Sequence, residues 1–248
     1  MKQNFIIFSS QRSGSSYLMR ALDNHPEVLC AGGVFRKSKS KRLKYPELSF
    51  NYAEKKKNKF FSVLPKYFVK KHMEALYSFS EKEIRGFKLM TNHAEDLPSV
   101  LTVAKSMEVK AIVLKRKNIV RQAISLTIAQ NAGLWIKPKK GSGMNYQIQI
   151  DIQRLVKNIK YFQRSKTLLE NSEFATDPLV IYFEDLVGDN SAEVIEKVYS
   201  YLGVQEKHQS KVEEIKKSKF SLEERIQNYS EVIALLNDNN LAGYITNE

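Results

Sequence analysis

An α/β layer fold, P-loop-like at its start and built on a mainly parallel central sheet flanked by helices, is what this sequence predicts. Three observations predict it. Short apolar runs with β-branched and aromatic content alternate with stretches of helical period along the chain. These runs are continuous enough to read as buried strands. The first of them leads straight into a small polar loop and then a helix.

The elements follow in order. Residues 4–9 (NFIIFS) read as a strand, and 10–16 as a polar turn holding one glycine. Leu18, Ala21 and Leu22 have helical spacing over 17–22, and that helix ends near Asn24-His25-Pro26. The stretch 34–71, rich in Lys, Ser and aromatics, reads as irregular with short helical pieces. Residues 85–90 (RGFKLM) predict a second strand and 97–107 a helix. A third strand, 110–114 (KAIVL), runs into the basic turn 115–118 and a helix over 119–130, with Ile119, Ala123, Leu126 and Ile128 on or near one face. A loop, KPKKGSG, follows at 137–143. Ile152, Leu155, Val156, Ile159 and Phe162 give 150–169 a strong helical period. A fourth strand is expected at 179–183 (LVIYF), then a helix over 192–202 closed by Gly203 as its C-cap, then a charged helical tail. No repeat breaks the pattern, so a single domain over 1–248 is expected, with a basic insertion at about 36–84.

Composition narrows the class. With 248 residues, 42% of them hydrophobic, the chain can bury a sizeable core. Its one cysteine, Cys30, allows no internal disulfide. No signal peptide and no apolar run of about 20 residues is visible, so a cytoplasmic, reducing compartment is expected. The formal charge of +13 is concentrated: between Arg36 and Lys71 thirteen basic residues face only Glu47 and Glu54. Such a run is either a solvated surface or a platform for an anionic partner, be it nucleic acid, anionic lipid, acidic glycan or nucleotide phosphate. No nucleic-acid module accompanies it, so no specific nucleic-acid partner is expected.

A strand feeding a tight loop and a helix makes an anion site, because loop amides and helix N-terminus point at one spot. Gly14 permits close backbone approach, and Ser13, Ser15 and Ser16 add hydroxyls. Aligned on the nucleotide P-loop, G-x-x-x-x-G-K-[ST], the first glycine becomes Ser9 and the lysine becomes Ser15, while Arg12 places a cation inside the loop. That argues against ATP or GTP hydrolysis and for another phosphate-type ligand.

Residues 11–18 (QRSGSSYL) resemble the phosphosulfate-binding loop of the sulfotransferases, enzymes that use 3′-phosphoadenosine 5′-phosphosulfate (PAPS). The longer opening QRSGSSYLMRALDNHPEVLC is similar to bacterial carbohydrate and nodulation-type members, and also to tyrosylprotein sulfotransferases. KAIVLKRKNIVRQAISLTIAQ resembles the family's second cofactor segment, and LVIYFEDLVGDNSAEVIEKVYSYLGV its strand, Tyr-Glu-Asp-Leu turn and packing helix, with Phe183 in place of the tyrosine. The likeness covers 4–35, 85–135 and 179–203.

The resemblance implies PAPS as donor and a hydroxyl acceptor, with a saccharide as the guess and an anionic glycan, a glycolipid or peripheral membrane contact in keeping with the charge. It implies that Arg12, Ser13, Gly14, Ser15, Ser16 and Tyr17 hold the phosphosulfate. It also implies that Arg116 and Ser125 hold the 3′-phosphate, with Lys117 as the alternative to Arg116. No metal is expected, since His25, His72, His93 and His208 are scattered.

Arg12 and His93 are the catalytic candidates. Many carbohydrate members carry a glutamate soon after the His-Pro segment, but here no carboxylate lies between Glu27 and Glu47, and Gly33 or its neighbour stands in its place. His93, after the strand 85–90, occupies a place similar to the base of cytosolic members. Lys88 faces either the cofactor or the strand edge, and Trp135 is a candidate for lining the acceptor cleft. Two other readings stay open: a catalytically impaired homologue that binds PAPS or its product, and a nucleotide- or nucleic-acid-binding protein using the basic segment.

Overall fold

A computed structural model of the chain describes residues 3–36, 44–131, 147–204, 221–241 and 243–246. In chain order the elements are β1 (Gln3–Ser9), α1 (Ser15–Asp23), β2 (Val28–Ala31), a 3₁₀ turn (Pro46–Leu48), α2 (Tyr52–Lys55), α3 (Pro65–Ser78), β3 (Ile84–Met90), α4 (Leu97–Ser106), β4 (Lys110–Lys115), α5 (Ile119–Asn131) and α6 (Ile152–Glu170). Then come β5 (Leu179–Tyr182), α7 (Phe183–Leu186), α8 (Ser191–Leu202), α9 (Leu222–Arg225), α10 (Tyr229–Asp238) and α11 (Gly243–Thr246). The chain divides into two compact units, Met1–Lys115 with Leu168–Ile215, and Arg116–Thr167 with Lys216–Glu248.

The first unit is built on a five-stranded sheet in the order β2-β3-β1-β4-β5, every pair parallel. β1 to β4 are largely buried because both faces are covered, whereas the edge strand β5 buries only Ile181. On one face Ile6, Phe8, Phe87, Leu89, Ala111 and Val113 pack with Val69, Met73 and Leu76 of α3 and Val100 and Ala104 of α4. On the other, Phe5, Ile7, Cys30, Ile112 and Leu114 pack with Leu18 and Leu22 of α1 and Ile195, Val198 and Leu202 of α8. Phe5 lies so close over Gly86 that a Cβ there would stand 2.5 Å from its ring. Gly203, at φ 77°, closes α8.

The second unit is helical. Ile119, Ala123, Ile124 and Leu126 of α5 bury against Leu155, Ile159 and Phe162 of α6 and Val232 and Leu236 of α10. Inside it Asn158 donates to Thr127 Oγ1 at 2.8 Å and Gln130 Oε1 at 2.9 Å.

The α/β class and parallel sheet are as the sequence predicts, with three differences. β2 is a fifth strand, an edge strand too short to show a period. Over 44–64 the basic stretch is irregular with short helical pieces, as the sequence predicts, but from Pro65 it enters a longer helix, because Val69, Met73, Leu76 and Tyr77 give α3 a buried stripe. Phe183 opens α7 and does not end β5. The KPKKGSG loop and Trp135 lie outside the described residues.

Candidate functional site

Three neighbouring strands, β2, β3 and β1, deliver three connections to one end of the sheet. Parallel pairing forces this, because all C-terminal ends then lie together, where open α/β sheets bind ligands. After β1 comes the loop 10–14, after β2 the pair Gly32-Gly33, and after β3 the turn Thr91-Asn92-His93. Backbone bonds hold them together: Thr91 N–H donates to Ser9 O at 2.9 Å and Lys88 N–H to Gly32 O at 3.3 Å.

The loop after β1 is tightly wound. Arg12 has φ 59° and Gly14 φ 81°, both left-handed. Ser13 is fully buried, and its hydroxyl donates to Ser10 O at 2.7 Å, bracing the loop from inside. Gly14 is the N-cap of α1, which no side chain caps and whose first turn carries no acid. The helix therefore keeps its positive end for an anion. Gly14 is required twice over: beyond its φ, a Cβ there would stand 2.8 Å from the Phe183 ring, which packs on the loop from α7. Ser15 is buried and Ser16 exposed. The Tyr17 side chain is turned into the core, with its hydroxyl 3.4 Å from Ser191 Oγ of α8. At the end of β1, the buried Ser9 hydroxyl has no hydrogen-bond partner.

Lys88 is the charged member of this end of the sheet. It is 7% exposed, and its ammonium donates to Ser16 Oγ at 3.0 Å. Burial brings its pKa down to about 8, with the positive charges of Arg36 and Arg20 pushing the same way. Beneath it the thiol of Cys30 is held protonated by burial, reinforced by Asp23, which accepts from the Cys30 N–H at 3.0 Å.

His93 sits beside Lys88. Its ring is 6% exposed, is hydrogen-bonded to the Lys88 backbone carbonyl, and leaves Nδ1 buried without a partner. Burial, then the charges of Lys88 and Arg36, hold its pKa down to about 3, so the imidazole is neutral at physiological pH. Its space exists because residue 33 has no side chain: a Cβ on Gly33 would be 2.4 Å from His93 Cε1 and 2.8 Å from Nδ1. The space a side chain at residue 33 would take is thus filled by an imidazole from the next strand's turn. His25, by contrast, is fully buried, accepts from the Glu27 N–H at 3.2 Å and packs on Tyr199. It holds the turn after α1.

Arg116 and Ser125 belong to the second unit. Arg116 is its first residue, and Asn118 Oδ1 caps α5 by accepting from the Arg121 N–H at 2.8 Å. Ser125 is half-buried further along α5, and Lys117 is exposed. Among the described residues no group of three or more His, Cys, Asp or Glu gathers as a metal site would. No described helix is long and apolar enough to cross a membrane.

His93 and the loop are visible in the sequence; the Gly33–His93 contact and the unpartnered Ser9 hydroxyl appear only in the folded chain. Lys88, flanked by Phe87 and Leu89 in a buried strand that also carries Arg85, is the visible signal of a buried cation.

The sequence model of the Stf0 sulphotransferase family matches residues 4–231. No curated protein matches. Among solved structures, the sulfotransferase domain from the curacin biosynthetic pathway is similar at 14% identity with a TM-score of 0.50, over 84% of this chain and 76% of that one. A sulfotransferase from Alicyclobacillus acidocaldarius, also 14% identical, gives a TM-score of 0.49 over 100% of this chain and 97% of its own.

Proposed function

The chain belongs to the Stf0 sulphotransferase family, and from that premise we propose that it moves a sulfuryl group from PAPS to an acceptor hydroxyl, with Arg12, Lys88 and His93 as the working side chains. The observation that carries this reading is the pair formed by Lys88 and His93: a buried ammonium held to a loop hydroxyl, next to a neutral imidazole whose Nδ1 is unpartnered.

The residues present fit such a donor. An uncapped helix start, two serine hydroxyls and a buried cation converge on the loop, and the orphaned Ser9 hydroxyl at its base can still make a hydrogen bond. PAPS, when bound, supplies an activated sulfuryl group. Ser15, Ser16 and the amides at the start of α1 would hold its phosphosulfate end, and it is the sequence resemblance of 110–130 that assigns the 3′-phosphate to Arg116 and Ser125. Ser13 braces the loop.

The chain's own chemistry follows from protonation. We assign the proton of the acceptor hydroxyl to His93 Nδ1, which is unpartnered; burial and the charges of Lys88 and Arg36 make it a weak base in the ligand-free protein, and an anionic donor beside those charges would raise its pKa. The Lys88 ammonium and the Arg12 guanidinium put positive charge where an anionic group develops charge. A saccharide hydroxyl in the cytoplasm is the acceptor we favour, because the sequence likeness is to bacterial carbohydrate members. The absent carboxylate after β2 favours one rival, a homologue that binds the nucleotide without turnover.

The test is a melting-temperature measurement with adenosine 3′,5′-bisphosphate, followed by labelled PAPS and a panel of acceptors with mass detection of added sulfuryl groups. A thermal shift with transfer is expected. A shift without transfer to any acceptor selects the rival, and no shift at all removes the PAPS reading.

A further inference from the structure

Between α2 and α3, and on the first turn of α3, four large apolar side chains lie on the outside. Phe60, Val63, Leu64 and Tyr67 expose 67%, 74%, 50% and 56% of their surface. They are spaced i, i+3, i+4 and i+7. Val63 N–H and Leu64 N–H donate to Phe60 O and Tyr67 N–H to Leu64 O, so a turn at 60–63 leads through Leu64, the N-cap of α3 at φ −123°, into the helix, and all four side chains stay on the outside. The opposite side is already occupied: Phe61 and Val69 are buried in the first core and Phe68 packs against it. The exposed four are a second apolar patch that nothing among the described residues covers.

Lysines bracket that stripe. Lys56, Lys57 and Lys59 precede it and Lys66, Lys70 and Lys71 accompany or follow it, all exposed. Between Lys44 and Lys71 the sequence holds eight lysines against Glu47 and Glu54; Lys44, Lys56 and Lys71 pair with Asp23, Glu95 and Glu74 from outside that stretch, which leaves the charge of the segment strongly positive. Each candidate occupant can be weighed against this combination. A soluble polyanion would use the lysines but gain nothing from Val63 and Leu64. A second copy of the chain would bring its own lysines against these. An anionic bilayer uses both, because apolar side chains enter the boundary between headgroups and acyl chains while ammonium groups meet lipid phosphates.

We propose that the Phe60–Tyr67 stripe and its flanking lysines dock the protein on an anionic membrane surface. The proposal does not depend on the sulfuryl-transfer reading, and its test needs no activity. The full chain is sedimented with vesicles of phosphatidylcholine alone and of phosphatidylcholine with phosphatidylglycerol, at low and high salt. Binding only to the anionic vesicles, weakened by salt, is expected. Val63→Ser/Leu64→Ser/Tyr67→Ser, all exposed sites, should fold normally by melting and lose roughly tenfold or more in partitioning. Lys57→Gln/Lys59→Gln should lose about fivefold per lysine. Binding that ignores the serine changes but falls with the glutamine changes, or is equally strong to heparin, would make this a polyanion site and overturn the proposal. Absence of binding to anionic vesicles would overturn it as well.

Discussion

Replacing Lys88 by methionine keeps the length and apolar stem of the side chain and removes its charge. The wild-type ammonium is carried into a site where burial, Arg36 and Arg20 bring its pKa from 10.5 to about 8. At about 1.4 kcal/mol per pH unit, holding it charged at neutral pH costs on the order of 3 kcal/mol relative to the unfolded chain. The hydrogen bond to Ser16 returns about 1 kcal/mol. The sign is fixed by the direction of the shift: the cost is complete below about pH 8 and gone above 10.5. Lys88→Met should therefore stabilise the ligand-free protein by about 2 kcal/mol at pH 7, a rise in Tm of roughly 4–8 °C for a chain of this size. Near pH 10.5 that gain should vanish. Turnover should fall by on the order of 10²-fold, since a cation at the loop is lost. The thermal shift produced by adenosine 3′,5′-bisphosphate should also be smaller in the variant. The assays are melting across pH and initial rates with PAPS. A variant less stable than wild type at pH 7, or one with wild-type turnover, would refute the idea that Lys88 is a strained cation reserved for an anion.

Four further outcomes are expected. Gly33→Ala should push the His93 ring out of place and reduce kcat about as strongly as His93→Ala, whereas equal rates for Gly33→Ala and wild type would separate His93 from the reaction. Arg12→Gly keeps the left-handed backbone without the guanidinium, so Tm should hold or rise while turnover drops roughly 10²-fold; loss of both would mean that Arg12 acts as scaffolding. Arg116→Ala should weaken adenosine 3′,5′-bisphosphate far more than adenosine 5′-phosphate in calorimetry, and equal losses would point to Lys117. Burial lowers His72 to about 4 and His93 to about 3, so both must gain protons on unfolding below about pH 6.5. Stability should be complete above pH 6.5 and fall as pH drops toward 4, and His72→Gln should remove about one proton's worth of that slope in denaturant titrations.

How far the sequence could be read depended on the range of the forces involved. Strands β1, β3 and β4 were legible because two-sided burial writes itself as a local apolar run, and β5 because its residues are apolar although only Ile181 is buried. β2 has only Val28, Leu29, Cys30 and Ala31 to show, and its identity comes from pairing with β3, a contact no local period reveals. α3 carried a readable stripe, but the surrounding lysines dominate its composition. At the site, Arg12 and the serines of the loop could be named as an anion site from the strand-loop-helix pattern, and His93 from the resemblance to cytosolic sulfotransferases. The Tyr17 side chain could not be placed, because a residue after a loop serves either ligand or core, and here the cluster around α8 takes it. The contact of His93 with Gly33 joins two turns from different strands, so only the folded chain displays it.

That contact also constrains how the protein can change over time. Residues 33 and 93 share one volume, so their substitutions are epistatic and reciprocal. A lineage gaining a side chain at 33 while His93 remains passes through an overpacked form. One losing the imidazole first passes through a form with an empty space and no proton acceptor. Either route crosses a fitness valley, and a double change such as Gly33→Glu with His93→Ala crosses it in one step. The two positions should therefore covary among relatives as a single two-letter character, with glycine beside histidine in one group and a larger residue beside a small one in another.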